Sequence, residues 1–316
     1  MSQVEQVEQF EKVEQVEQVE QVEQVAPAVV WTEQVMESAV RRPAPALRPF
    51  IDRYVGYRLQ GFAPGSHRGM PSRHLTFILS LDEPVVIESM PDRSRAPVAF
   101  DAFVGGLHSS AARIDHDGNQ FGIQLSVTPM GARALFGVPA AALASIVVDL
   151  RELVGAATVE LIDRVRAATT WSDRFAVLDD VLLRSRREVS PVAPELRCAW
   201  DRLCANDGAV EVRDLAAEVG WSRRHLSERF RLETGLTPKV AGRVFRFERS
   251  VAMLKAPADV ARSLADVAVA CGYFDQAHLA RDWRDLAGCP PSTWMTEELP
   301  AISTDQSVAS ASSVLT

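Results

Sequence analysis

Residues 214–238 read DLAAEVGWSRRHLSERFRLETGLTP, and residues 266–291 read DVAVACGYFDQAHLARDWRDLAGCPP. The two strings are one pattern written twice. Asp214, Leu215, Ala216, Val219 and Gly220 match Asp266, Val267, Ala268, Cys271 and Gly272, 52 residues on; Ser222, Leu226, Phe230, Gly235 and Pro238 match Asp275, Leu279, Trp283, Gly288 and Pro291, 53 residues on. One residue near Phe274 is therefore inserted in the second copy, and the stretch is an internal repeat.

Each copy predicts two short helices around a tight turn. Leu215 with Val219, and Leu264 with Val267, Ala268 and Cys271, place apolar groups on one side of a first helix. The glycine ends that helix, and Ser222 or Asp275 is placed to cap the next. Its apolar seam is Leu226 and Phe230 in one copy, and Leu279, Trp283 and Leu286 in the other. Helix, glycine turn and capped helix make a helix-turn-helix.

The outer faces of the second helices carry the chemistry. With the seam inward, Ser222, Arg223, Arg224, Ser227, Glu228 and Arg231 are candidates for DNA contact in the first copy, and Gln276, Ala277, His278, Arg281 and Arg284 in the second, with Ala280 beside them. Arg forks onto guanine, Gln onto adenine, Glu accepts from cytosine, and Ala meets a thymine methyl. A charged helix face by itself is ordinarily a solvated surface; its occurrence in two helix-turn-helix copies favours base reading. His225 and His278 recur immediately before the core leucine, which suggests packing or a phosphate contact. Between the copies, Thr237–Leu254 predicts a longer helix with Val240, Val244, Phe247, Val251 and Leu254 on one side. From Trp221 to Lys255 there are nine Lys or Arg against three Glu, a surface that attracts phosphates. Arg223, Arg231, Arg284 and the linker-helix basics are expected to hold phosphates, and Arg224 and Arg281 to read bases.

These residues resemble a known family. GWSRRHLSERFRLETGLTPKV and ACGYFDQAHLARDWRDLAGCPPSTW are similar to the DNA-binding domain of AraC/XylS-type bacterial transcription regulators. The resemblance implies two helix-turn-helix units bridged by a long helix and entering successive major grooves. Trp283 stands where the family usually has Phe, and Ala277 and Ala280 leave the second reading helix little hydrogen-bonding capacity. HRGMPSRHLTFILSLDEP and FGIQLSVTPMGARALFGVP resemble the N-terminal domain of a group of such regulators common in actinobacteria, so the likeness spans roughly Pro45 to Pro300. It implies a sensor and dimerisation domain ahead of the reading head, and names no effector.

The net charge of −8 over 316 residues argues against a nucleic-acid binder only until its distribution is seen, because the first 25 residues hold seven Glu against one Lys. Residues 4–25 are a Val-Glu-Gln tract whose period of three winds the valines around a helix instead of stacking them. A low-complexity, disordered or partly helical appendage is expected there. Cys198, Cys204, Cys271 and Cys289 lack C-x-x-C spacing and are read as reduced thiols of a cytoplasmic protein. No apolar run reaches membrane-spanning length, and no basic-then-apolar leader opens the sequence.

Pro43, Pro45 and Pro49 mark the entry to a separate domain. Strands are predicted at His74–Leu81, Val85–Glu88 and Val98–Leu107, and Ile114–His116, Asp117-Gly118 and Phe121–Val127 read as a hairpin with a tight turn. Helices are predicted at Ala132–Phe136, Pro139–Leu150, Thr158–Ala168 and Ser172–Val189, the last capped by Ser172, with Pro191 and Pro194 as the linker. His67, His74, His108 and His116 lie in this part, but the chain has no His-x-His, and no metal or other cofactor is expected.

The expected fold is α+β multidomain: a β-rich, barrel- or sandwich-like N-terminal sensor domain with a helical hairpin, then an all-α domain of two helix-turn-helix units joined by a linker helix. The domains are placed at 1–42 (disordered tail), 43–192 (effector sensing and dimerisation), 193–300 (DNA binding) and 301–316 (disordered tail). The expected function is a DNA-binding activator under small-molecule control, with double-stranded DNA, an effector, RNA polymerase and a second copy of the chain as partners and no membrane. The alternative is a DNA-binding-deficient interaction protein that sequesters another regulator. An enzyme built on the same architecture, such as an alkylation-repair transferase, needs a Pro-Cys-His-Arg setting that is missing here, and the chain is read as no enzyme.

Overall fold

The computed structural model describes residues 34–90, 96–189, 191–256 and 263–298. Of the tails expected at 1–42 and 301–316, residues 1–33 and 301–316 lie outside them. A six-stranded antiparallel sheet has the order β1 (Val35–Arg41), β2 (Ile51–Gln60), β9 (Gln120–Val127), β4 (Leu75–Ser80), β7 (Ala102–Gly105), β10 (Val147–Asp149), and a four-stranded sheet the order β3 (Gly65–Gly69), β8 (Ala112–His116), β5 (Val85–Ser89), β6 (Val98–Phe100). β1 falls inside the stretch 1–42 expected to be a tail, which is corrected: residues 35–41 pair in register with β2, Val35 opposite Gln60 and Arg41 opposite Tyr54.

Strand alternation sorts the two faces of the large sheet. Leu75, Phe77, Leu79, Ala102, Val104, Ile123, Leu125 and Val127 are buried towards the helices, while Ile78, Phe103 and Val147 face Ile87, Met90 and Phe100 of the other sheet. β4 is thus buried on both faces, and its Ser80 is satisfied by donating to the Glu83 carbonyl at 2.6 Å.

Two segments depart from the strands expected of them. The segment Val98–Leu107 is two strands in different sheets, β6 and β7, turning at Asp101, whose carbonyl accepts from Ser80 N–H at 2.8 Å. Likewise β8 and β9 are consecutive but do not pair: β8 joins β3 and β5, and β9 joins β2 and β4. Asp117-Gly118 is a corner between sheets. Its Asp117 carboxylate accepts from Asn119 N–H at 2.8 Å, and the Gly118 carbonyl accepts from Phe62 N–H at 3.2 Å.

The helices that follow are α1 (Pro129–Phe136), α2 (Leu150–Val154), α3 (Ala157–Ala167) and α4 (Trp171–Ser185). Thr128 caps α1, Pro129 starts it, and left-handed Gly137 ends it. The helix predicted at Pro139–Leu150 is only a 3-10 turn at Ala140–Leu143. Ser145 adopts φ 60° and donates to Leu107 O at 2.9 Å, which draws the chain into β10. α4 starts at Trp171, is capped by Thr170 and stops at Ser185, not the predicted Ser172–Val189. Asp179 ties α4 to the sheet, accepting from Tyr54 Oη at 3.0 Å and Ala44 N–H at 2.9 Å and pairing with Arg41. The Trp171 ring covers Gly56, where a Cβ would come within 2.4 Å of it. No helix among the described residues is long and apolar enough to cross a membrane.

Three histidines of the β-rich part are held neutral. Burial, then the charges of His116 and Lys255, push His67 down to about 4, and burial also lowers His74 and His108. The unfolded chain takes up these protons below pH ~6.5 and the fold does not. For His67, stability is therefore complete above that pH and is lost on acidification towards 4, by up to about 1.4 kcal/mol per pH unit, and His74 and His108 act in the same direction. Urea unfolding at pH 7 and pH 5 should show this slope, and His67→Gln should reduce it.

Gly118 supplies a test of the corner. Its φ is 99°, and a Cβ would lie 1.9 Å from the Phe62 carbonyl oxygen. Gly118→Ala is expected to lower stability by about 2–3 kcal/mol in denaturant unfolding, whereas a freely turning hairpin loop would absorb the change.

Candidate nucleic-acid interface

The helical part runs α5 (Pro194–Ala205), α6 (Val212–Glu218), α7 (Arg223–Thr234), α8 (Pro238–Lys255), α9 (Leu264–Ala270), α10 (Gln276–Ala287) and α11 (Pro291–Glu297). Pro194, expected in the linker, is the first residue of α5, where its missing N–H costs nothing. Helices α6 and α7 are the first helix-turn-helix and α9 and α10 the second. Gly220 and Gly272 take φ of 71° and 74° in the two turns. Ser222 Oγ accepts from His225 N–H at 3.2 Å, and Asp275 Oδ1 from His278 N–H at 2.6 Å, so both expected caps are made. Ser263 and Asp266 add a reciprocal capping box to α9.

The seams are buried as the repeat requires. Leu226 and Phe230 are fully buried, and Phe230 stacks on Trp200 at 5.7 Å, while Trp200 meets Phe245 of α8 edge-on. In the second unit Leu279 and Trp283 are fully buried. Trp283 lies 4.9 Å from Phe247 and 5.3 Å from Trp294. Its indole N–H, which a Phe would lack, donates to Ser250 Oγ at 2.9 Å. The larger ring thus brings its own donor and finds a buried acceptor.

Outward of these seams, Ser222, Arg223, Arg224, Glu228 and Arg231 are exposed and Ser227 is half-buried; Gln276, Ala277, Arg281 and Arg284 are exposed, and His278 and Ala280 half-buried. Among the described residues none of these arginines forms an ion pair. His225 and His278 pack edge-on against the turn aromatics, Trp221 at 4.6 Å and Tyr273 at 5.2 Å, and His278 Nδ1 accepts from Phe274 N–H. Of the two roles expected for them, these ring contacts supply packing.

Three arginines of the linker helix have partners inside the domain. Arg243 pairs with Asp282 at 2.7 Å and Asp285 at 2.8 Å, both on α10. Arg246 donates to Gly208 O and lies over the Tyr273 ring, and Arg249 pairs with Asp207. These three arginines brace the domain, while Lys239 of the same helix is exposed, and the outward faces of α7 and α10 carry arginines with no ion pair among the described residues.

Three long-range arginine clamps are not among the expectations from sequence. Arg133 of α1 grips Glu233 of α7 with two parallel hydrogen bonds, 2.7 and 2.8 Å. Arg73 reaches Glu248 and Asp207 and lies over Phe245, and Arg68 reaches Glu297 and Glu298. One signal was present: Glu233 is an acid in the last turn of a helix, where the macrodipole disfavours it unless a cation answers it.

Residues 215–297 match a family model described as a helix-turn-helix domain, and the match spans both units. This is an AraC-type helix-turn-helix domain. No curated protein matches the chain. Among solved structures, the AraC-type domain is similar to a transcriptional regulator with an AraC-type DNA-binding domain from Chromobacterium violaceum, 25% identical over 33% of this chain and 91% of that one, TM-score 0.30. The C-terminal domain of AraT, a response regulator from Geobacillus stearothermophilus, is 17% identical over 34% and 88%, TM-score 0.31. ToxT from Vibrio cholerae is similar over 83% of this chain and 98% of its own, with 9% identity and TM-score 0.45.

The clamp on α7 can be measured. Glu233 is 7% exposed, so Arg133→Ala strands a buried carboxylate and is expected to cost the AraC-type domain's attachment about 2–4 kcal/mol in urea unfolding. Replacing both partners by Leu should restore most of the loss, because no unpaired charge remains.

Proposed function

We propose that this chain is a sequence-specific transcription regulator that reads two successive major grooves with α7 and α10. The observation that carries this is the pair of capped, buried-seam helices of one repeat, each presenting unpaired arginines on its outward face and both packed on α8. Arg224 and Arg281 are assigned base readout; Ser222, Arg223, Ser227, Glu228, Arg231, Gln276, Ala277, His278 and Arg284 complete the contact surface, with Arg223, Arg231 and Arg284 on phosphates. The domain limits 43–192 and 193–300 are proposed with it.

The β-rich part is proposed to sense a small molecule and to act as the control element of an activator. A ligand acts only through different affinity for two states, and the Arg133–Glu233 clamp gives such a difference a direct route to α7. The apolar space bounded by Phe77, Phe136, Leu161 and Leu182 holds only about 20 Å³, well below the ~300 Å³ of a small-ligand pocket. An effector entering there would select an opened state.

Selection of genomic fragments by the full-length chain, followed by affinity measurements across a salt series, tests the reading. Recovery of two short sequence blocks about one helical turn apart is expected, with log affinity falling linearly in log salt. Arg224→Ala should weaken the recovered site by about 5- to 150-fold, the equivalent of about 1–3 kcal/mol, and random duplex much less. Equal weakening on both would remove the readout role. Salt-insensitive binding with no shared motif would favour an interaction protein instead.

A further inference from the structure

The two reading heads differ most at the residue that the repeat cannot account for. Trp221 and Tyr273 are equivalent turn aromatics, and both are packed into the domain, Tyr273 with 4% exposure. Phe274 follows Tyr273 with no counterpart in the first copy, and at 90% exposure it is the most exposed large apolar side chain among the described residues. Its backbone is held, since its N–H donates to His278 Nδ1 at 3.4 Å and the next residue, Asp275, is the cap of α10. Nothing in the fold uses the ring. It stands at the N-terminal end of α10, the end that a helix-turn-helix brings to base edges.

The neighbouring positions shift in the same direction. Where α7 presents Arg223, Arg224 and Ser227, α10 presents Gln276, Ala277 and Ala280. Three hydrogen-bonding groups are thus reduced to one, and an apolar ring is added. A phenyl or methyl side chain has one specific partner in the major groove, the C5-methyl of thymine.

We propose that α10 recognises its half-site through thymine methyl groups, with Phe274 and Ala277 as the contacting side chains. This rests on the DNA-binding reading above and adds its chemistry: the first head reads by hydrogen bonds alone, and the second adds apolar contact to those of Gln276 and Arg281. Phe274 becomes a specificity determinant, and its insertion is what distinguishes the two half-sites.

The test uses the full-length chain and duplexes selected from a random-sequence pool. The winning duplex is resynthesised with deoxyuridine for thymidine, one block at a time, which removes only C5-methyl groups. In one block the exchange should weaken binding about fourfold for each contacted methyl, the value of one methyl-sized group buried. Phe274→Ser, at an exposed position whose unchanged thermal unfolding can be verified, should bind the thymidine duplex less tightly and lose the deoxyuridine penalty in that block. A selected duplex that binds equally well in both forms overturns the proposal. So does a Phe274→Ser chain that keeps the full penalty, and that result would assign the exposed ring to a protein partner. If no duplex is enriched and binding is indifferent to salt, the DNA-binding reading itself falls, a pattern distinct from the other two.

Discussion

Aromatic burial against α8 sets the geometry of the whole helical part. Phe245 meets Trp200, which stacks on Phe230 of the first unit, and Phe247 meets Trp283 of the second. Residues two apart on a helix point roughly 200° from one another. A two-residue step therefore directs the packing of the two units to opposite sides of one rod, and the rod fixes their separation. The arginines of α8 strengthen the same arrangement: Arg243 ties α10 to the rod through Asp282, and Arg249 ties down the loop at Asp207.

This architecture concentrates available charge. Arg243 and Arg249 of the linker helix are already paired with acids of the domain, whereas Arg223, Arg224, Arg231, Arg281 and Arg284 remain exposed. An acidic chain can thus present a cationic reading surface, because the sign that phosphates meet depends on which cations are left unpaired and not on the total.

Much of the helical part was legible in the sequence because its determinants are local. Gly220 and Gly272 sit where a left-handed residue is needed, Ser222 and Asp275 cap helices three residues ahead of the N–H they accept from, and the seams recur at helical spacing. The β-rich part was legible only as strands. Asp117-Gly118 has hairpin composition, but β8 and β9 pair with partners far along the chain, and no local pattern distinguishes a corner from a hairpin. β2 was missed because Ile51, Tyr54 and Gly56 do not keep a strict alternation; a register shift interrupts its pairing with β9 between Ile51 and Tyr54. Of the candidate contact residues, the outward placement of α7 and α10 followed from the seams. The clamps through Arg68, Arg73 and Arg133 did not, since each joins residues 100 or more positions apart.

The inserted Phe274 makes the repeat unlike itself. Two identical heads on one rod would be interchangeable, each able to take either half of a site. Unlike heads remove that degeneracy, so a single chain would carry a polarity along the double helix and present its β-rich part on a defined side of the site.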